Sequence, residues 1–128
     1  MIEKIVLRLL AIKSRTTEEL KKKLILKGFS LSEIETAIKK FTKLGYLNDD
    51  EIRERRFQTY LHKGYGPRLV ALKMKQQGLR MPPYPLQLQR QVASKLLKTT
   101  AFKRKDPAKK GAALQRRGFD LEVIYSLI

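Results

Sequence analysis

The sequence predicts an all-α fold, an elongated tandem array of three tri-helical units, on three observations. The first is a phrase that occurs three times: Leu24-x3-Gly28-Phe29, Met74-x3-Gly78-Leu79 and Leu114-x3-Gly118-Phe119. An apolar residue, a glycine four positions on and a second apolar residue mark a helix end. There glycine takes the left-handed position and the next residue packs back on the last turn. The second observation is apolar spacing at i, i+3, i+4 and i+7, the period of a helix with one buried face. The third is a pair of capping boxes, Thr16-x-x-Glu19 and Ser30-x-x-Glu33. Repetition of one helix end along a short chain points to stacked helical units, which offer surface to a partner rather than an enclosure for chemistry.

Residues 1–47 form the first unit. Ile2, Ile5, Val6, Leu9 and Leu10 share one face of its first helix. Thr16 opens a second helix, with Leu20 and Leu24 inward and Gly28 as its stop. Ser30 opens a third through Ile34, Ala37, Ile38, Phe41 and Leu44, ended by Gly45. Residues 48–85 form the second unit. Asn48, Asp49 and Asp50 cap its first helix and suit the positive end of the helix dipole; Ile52, Phe57, Tyr60 and Leu61 follow. Gly64-Tyr65-Gly66-Pro67 breaks that helix, and Pro67 opens the next, where its missing N–H is not needed. Val70 and Met74 then repeat the spacing of Leu20 and Leu24 up to Gly78.

A third helix is not expected in this unit. Gly28 and Gly78 lie 50 residues apart but Gly78 and Gly118 only 40, a shortfall of one short helix. Pro82, Pro83 and Pro85 fall where that helix belongs, and a proline inside a helix costs about 3 kcal/mol. An extended connector over Arg80–Pro85 is expected instead. Residues 86–128 form the third unit. Its first helix carries Leu88, Val92, Leu96 and Leu97 on one face, and Thr99–Lys105 reads as a polar, basic loop. A helix from Asp106-Pro107 to Arg117 is closed by Gly118-Phe119. Asp120 caps a short last helix with Ile124, Leu127 and Ile128, giving about eight helices in all.

Composition excludes several function classes. The chain has no cysteine, so disulfides, thiolate metal sites and cysteine nucleophiles are absent. Arg8 interrupts what a signal core would need, and no apolar run approaches the ~20 residues of a membrane span. A soluble cytoplasmic protein without membrane contact is expected. His62, the single histidine, has no base, nucleophile or ligand set beside it. Gly64-Tyr65-Gly66-Pro67 lacks the Lys-Ser/Thr of a phosphate loop. No catalytic, metal-binding or cofactor-binding residues are assigned, and no cofactor is expected.

Charge points the other way. With 29 Lys and Arg against 12 Asp and Glu the net charge is +17, of which residues 1–64 carry +6 and residues 65–128 carry +11. Such an excess favours encounter with a polyanion. Basic clusters fall on or beside predicted helices at Lys21-Lys22-Lys23-Lys27 and Arg53-Arg55-Arg56. In the more basic half, the candidate partner-binding residues are Arg68, Lys73, Lys75, Lys103, Arg104, Lys105, Lys109, Lys110, Arg116 and Arg117. Arginine adds bidentate geometry toward phosphate or carboxylate. For any single lysine a solvated helix face accounts for the charge as well.

Gly45-Tyr46-Leu47-Asn48-Asp49-Asp50, Gly64-Tyr65-Gly66-Pro67-Arg68, Arg116-Arg117-Gly118-Phe119 and the opening Leu20-x3-Leu24-x3-Gly28-Phe29 together resemble the RecX family of bacterial regulatory proteins. The resemblance covers nearly the whole chain in the right order. It implies tandem three-helix repeats that bind the RecA filament and restrain its activities with no catalysis of their own. A monomer is expected, and its excess charge should give only weak contact with single- or double-stranded DNA, without sequence preference. A plain nucleic-acid-binding protein, using its tri-helical units as helix-turn-helix readers, is the alternative. The chain offers no repeated set of base-reading side chains for that role.

Overall fold

The computed structural model describes residues 1–128, and the chain is helical with no strand. In order the helices are α1 (Ile2–Ile12), α2 (Thr17–Leu26), α3 (Leu31–Lys43), α4 (Asp49–His62), α5 (Pro67–Gln76), α6 (Leu86–Leu97), α7 (Thr100–Lys103), α8 (Pro107–Arg116) and α9 (Leu121–Leu127). They fall into two compact units. One holds Met1–Arg53 and Gln76–Leu79, the other Glu54–Lys75 and Arg80–Ile128.

In the first unit the predicted inward faces of α1 to α3 meet in one core of Val6, Leu9, Leu20, Leu24, Ile34, Ala37, Phe41 and Leu47. Burying a side chain of Leu or Ile size contributes about 1.5–3 kcal/mol. Both capping boxes close: Glu19 N–H donates to Thr16 Oγ1 at 3.1 Å and Thr16 N–H to Glu19 Oε1 at 2.9 Å, with the same reciprocity at Ser30 and Glu33. Lys40 Nζ lies 2.9 Å from Glu3, and that hydrogen bond, with its charge, holds the Glu3 carboxyl below its ordinary pKa.

Two sequence expectations for this unit are corrected. Leu44 is exposed, because α3 ends at Lys43 and the chain turns away; Leu47 takes the buried position instead. Asp49 does not cap its own helix. Asn48 does, accepting from Glu51 N–H at 3.2 Å, while Asp49 Oδ1 accepts from Thr17 N–H at 2.9 Å in the first turn of α2, beside the Thr16 cap. The segment Gln76–Leu79 returns to the same place: Thr16 Oγ1 donates to the Gln77 carbonyl at 2.7 Å.

The second unit is built on Ala93, Phe102, Ala113, Leu114, Phe119, Val123 and Ile124. Residues 79–85 are not helical, as the prolines require. Tyr84 anchors this connector, with its ring edge-on to Phe57 at 5.6 Å and its hydroxyl donating to the Tyr65 carbonyl at 2.7 Å. Burial pushes the ionisation of that hydroxyl well above its ordinary range.

Gly66 and Gly118 are glycines for different reasons. Gly118 ends α8 at φ +93°, in the left-handed region. Gly66 lets the start of α5 touch the end of α8: its N–H donates to Arg117 O at 2.8 Å, and Arg68 N–H donates to Gly118 O at 3.1 Å. A Cβ on Gly66 would fall 2.5 Å from the Gly118 carbonyl carbon.

Three expectations are corrected in this unit. Thr99–Lys105 is not all loop, since Thr100–Lys103 winds one turn, α7, that carries Phe102 into the core. Asp120 precedes α9 but its side chain caps nothing there. It accepts from Gln89 Nε2 at 3.0 Å, while its N–H donates to Gln89 Oε1 at 3.2 Å. In α6 the stripe Leu88, Val92 and Leu96 is only half-buried, and the positions turned fully inward are Gln89 and Ala93. The satisfied Gln89–Asp120 pair makes that rotation possible, because a buried amide is tolerated only when its hydrogen bonds are made.

Candidate functional site

All ten cations singled out from the sequence lie in the second unit. Arg68, Lys73 and Lys75 stand on α5; Lys103 ends α7; Arg104 and Lys105 lead into α8; Lys109, Lys110 and Arg116 stand on α8; and Arg117 follows it. The Asp106 carboxylate starts α8 by accepting from Lys109 N–H at 2.9 Å, which fixes the turn on which Lys109 and Lys110 are displayed. Arg68, Lys75, Lys103, Arg104, Lys109 and Arg116 are exposed; Lys73, Lys105, Lys110 and Arg117 are half-buried.

Two of the arginines spend hydrogen bonds inside the fold. Arg68 Nη2 donates to the Phe119 carbonyl at 3.0 Å, and Arg117 Nη1 donates to the Lys63 carbonyl at 3.0 Å. Each fastens a carbonyl beside a glycine turn, so both position backbone. Three cations lie against aromatic rings. The Arg117 guanidinium is 5.5 Å and Lys105 Nζ 6.0 Å from the Phe102 ring centre, and Lys73 Nζ is 5.6 Å from that of Tyr65. Tyr65 itself stacks on Tyr60 at 5.8 Å. Such contacts hold a flexible cation in one place for about 0.5–1 kcal/mol at an exposed site.

The carboxylates of this unit that follow α6 are occupied elsewhere. Asp106 caps α8, Asp120 bonds Gln89, and Glu122 lies 3.9 Å from Arg90. The exposed cations around α7 and α8 therefore form no ion pair with these three carboxylates. Arginine and lysine at this density can hold phosphate oxygens or carboxylates as point charges and bidentate forks. No cluster of three or more His, Asp or Glu side chains is placed to hold a metal ion. No helix is long and apolar enough to cross a membrane.

Two features of the site were not read from the sequence. Phe102 forms a shelf for two cations; its signal is a lone aromatic within the basic stretch Lys98–Lys110. The other is a groove of about 460 Å³ between α4 and α6, floored by Leu61, Leu88, Val92 and Leu96. Its signal was present but misassigned, since the apolar stripe of α6 reads as core.

This helical fold places the chain in a class of all-helical proteins built from three-helix domains, and known proteins share it. A family model described as RecX, first three-helix domain, matches residues 4–41, which span most of α1 to α3. A regulatory protein RecX of Vibrio cholerae serotype O1 is 30% identical over 133 residues, covering 94% of this chain and 88% of that protein. A regulatory protein RecX of Legionella pneumophila is 34% identical over 73 residues, where the match spans 57% of this chain and about half, 49%, of the relative. Among solved structures, RecX from Lactobacillus salivarius superposes with a TM-score of 0.80 at 20% identity, covering 98% of this chain and 90% of that one. A second crystal structure of a regulatory protein RecX gives 0.76 at 17% identity, covering 98% and 70%. The chain belongs to the RecX family of regulatory proteins.

Proposed function

We propose that this protein binds along the RecA–DNA filament and restrains RecA, lowering its ATP hydrolysis, strand exchange and filament growth in recombination and repair, with no catalysis of its own. The observation that carries this reading is the family membership, joined to exposed cations around α7 and α8 that form no ion pair with Asp106, Asp120 or Glu122. A filament of protein on DNA exposes subunit surface and phosphate side by side. A chain read as three tri-helical units, 1–47, 48–85 and 86–128, has several surfaces with which to engage both. Lys75, Lys103, Arg104, Lys109 and Arg116 are the first contacts in this reading; Arg68 and Arg117 support them by holding backbone. The protein works as a cytoplasmic monomer, and its hold on bare DNA is weak and blind to sequence. Charge alone supplies only such salt-sensitive affinity.

The test is RecA ATP hydrolysis on single-stranded DNA with substoichiometric amounts of this protein. A fall in rate at ratios well below one per RecA supports the proposal. An unchanged rate at every ratio, with the protein shown to be folded, overturns it. Equal affinity for bare DNA and for the filament would return the chain to the simpler role of a general nucleic-acid binder.

A further inference from the structure

The groove between α4 and α6 lies outside the cationic residues assigned above. Its lining on α6 is Leu88, Gln91, Val92, Lys95 and Leu96, with Thr99 just beyond. Those positions follow i, i+3, i+4, i+7, i+8 and i+11, an unbroken stripe down one face. At 1.5 Å per residue the stripe runs about 16 Å, three turns of helix. From α4 come Gln58, Leu61 and His62. The floor is aliphatic and the rim is Gln58, His62, Gln91, Lys95 and Thr99, amides, a hydroxyl, an imidazole and an ammonium, with no carboxylate. Leu88, Val92 and Leu96 are left half-buried because α6 turns Gln89 and Ala93 inward. An open groove lined by an apolar stripe three turns long matches an amphipathic helix laid in by its apolar face.

We propose that this groove docks an acidic amphipathic helix of the protein partner, with leucine-like anchors on the floor and carboxylates toward Lys95 and His62. Charge complementarity selects this occupant. The rim carries one ammonium, Lys95, and no carboxylate, and its α6 wall belongs to the half of the chain with +11 of the net charge, so a basic helix or a second copy of this chain is disfavoured there. Nucleic acid has no use for an aliphatic floor. The inference rests on the filament reading for the partner's identity but not for the groove's chemistry. It divides the unit's work: the groove grips protein while the exposed cations of α7 and α8 meet phosphate.

The test uses the whole chain and a fluorescein-labelled synthetic helix of leucine and glutamate, with leucines at i, i+3, i+4 and i+7, read by anisotropy. A scrambled peptide of the same composition is the control. Val92 and Leu96 also pack on the core, so the variants are Gln91→Glu with Lys95→Glu on the rim and, separately, Leu88→Asn on the floor. The expected result is binding of the patterned peptide over the scrambled one, weakened about tenfold or more by either variant. Reversal of Lys21, Lys22 and Lys23 to glutamate in the first unit should change it less than about twofold, since none of them lines the groove and salt screens a charge that makes no contact. Peptide affinity that ignores the order of the leucines, or that falls equally with the Lys21–Lys23 reversal, overturns the groove and leaves only a diffuse field. If the peptide binds the groove as described while RecA hydrolysis is unaffected by the protein, the groove stands and the filament reading fails. If RecA hydrolysis falls but neither groove variant alters that fall or peptide binding, the groove fails and the filament reading stands.

Discussion

Replacing Gly66 by alanine isolates a close approach of backbones from any need for a left-handed residue. The added Cβ would press on the Phe119 backbone nitrogen and fall 2.5 Å from the Gly118 carbonyl carbon, and both are backbone atoms, which cannot rotate aside. The start of α5 must move away from the end of α8, and two bonds stretch with it: Gly66 N–H to Arg117 O at 2.8 Å and Arg68 N–H to Gly118 O at 3.1 Å. Each is worth about 1 kcal/mol net, and forced displacement of packed backbone costs about 1–3 kcal/mol more. Loss of glycine's freedom in the unfolded chain returns about 0.4–1 kcal/mol. The net expectation is a loss of about 3 kcal/mol. Gly28→Ala is the comparison, because Gly28 sits at φ +91° with nothing within 4 Å of a Cβ. Only the left-handed backbone penalises it, by about 1–2 kcal/mol less the same unfolded-state gain. Urea denaturation followed by far-UV circular dichroism measures both. A Gly66→Ala loss no larger than that of Gly28→Ala would refute the reasoning.

Three further outcomes are expected. Tyr84 is buried with its pKa raised above the ordinary 10.0, so its share of stability is complete below pH 10 and is lost as pH rises through the folded value. Tyr84→Phe should cost about 1 kcal/mol at neutral pH through the lost bond to Tyr65, and should blunt the alkaline loss; identical alkaline profiles for the two proteins would contradict this. Binding to bare single-stranded DNA should weaken with salt at a log–log slope near −0.7 per phosphate neutralised, about −3.5 for five contacts. A flat titration would mean that the charge serves an acidic protein surface instead. Reversing Lys103, Arg104 and Lys105 to glutamate should weaken filament binding well beyond its effect on thermal stability, which for surface changes is about 0.5 kcal/mol each. The reversal of Lys21, Lys22 and Lys23 should do less, and an equal loss would show that the cations act only as a field.

Helices with two-sided local signals could be read from the chain. The capping boxes at Thr16 and Ser30 and the glycine ends at Gly28, Gly78 and Gly118 are chemistry within a few residues, and each falls where the pattern puts it. Prolines 82, 83 and 85 likewise forbid a helix for local reasons. What escaped was tertiary. Asp49 looks like a cap of α4 and instead accepts the Thr17 N–H in the first turn of α2, beside the Thr16 cap, a choice made by a residue 32 positions away. Leu88, Val92 and Leu96 have the period of a core stripe, yet Gln89 is the residue turned in, because Asp120 satisfies it across 31 positions. The turn of α7 carries Phe102 into a core whose other members lie elsewhere in the chain, so no local signal marks it. In the site, the density of cations was evident in the sequence but their duties were not. Arg68 and Arg117 read like Lys75 and Arg116 until Phe119 and Lys63 are seen to offer them carbonyls.

The proposed partner is the assembled filament, not either of its parts. Sedimentation of this protein with RecA on single-stranded DNA, with RecA alone, and with the same DNA alone at physiological salt tests it most directly. The expected pellet fraction with the filament is well above that of both controls and is reduced by reversal of Lys103, Arg104 and Lys105. Equal recovery with bare DNA, or full recovery with RecA in the absence of DNA, would contradict it.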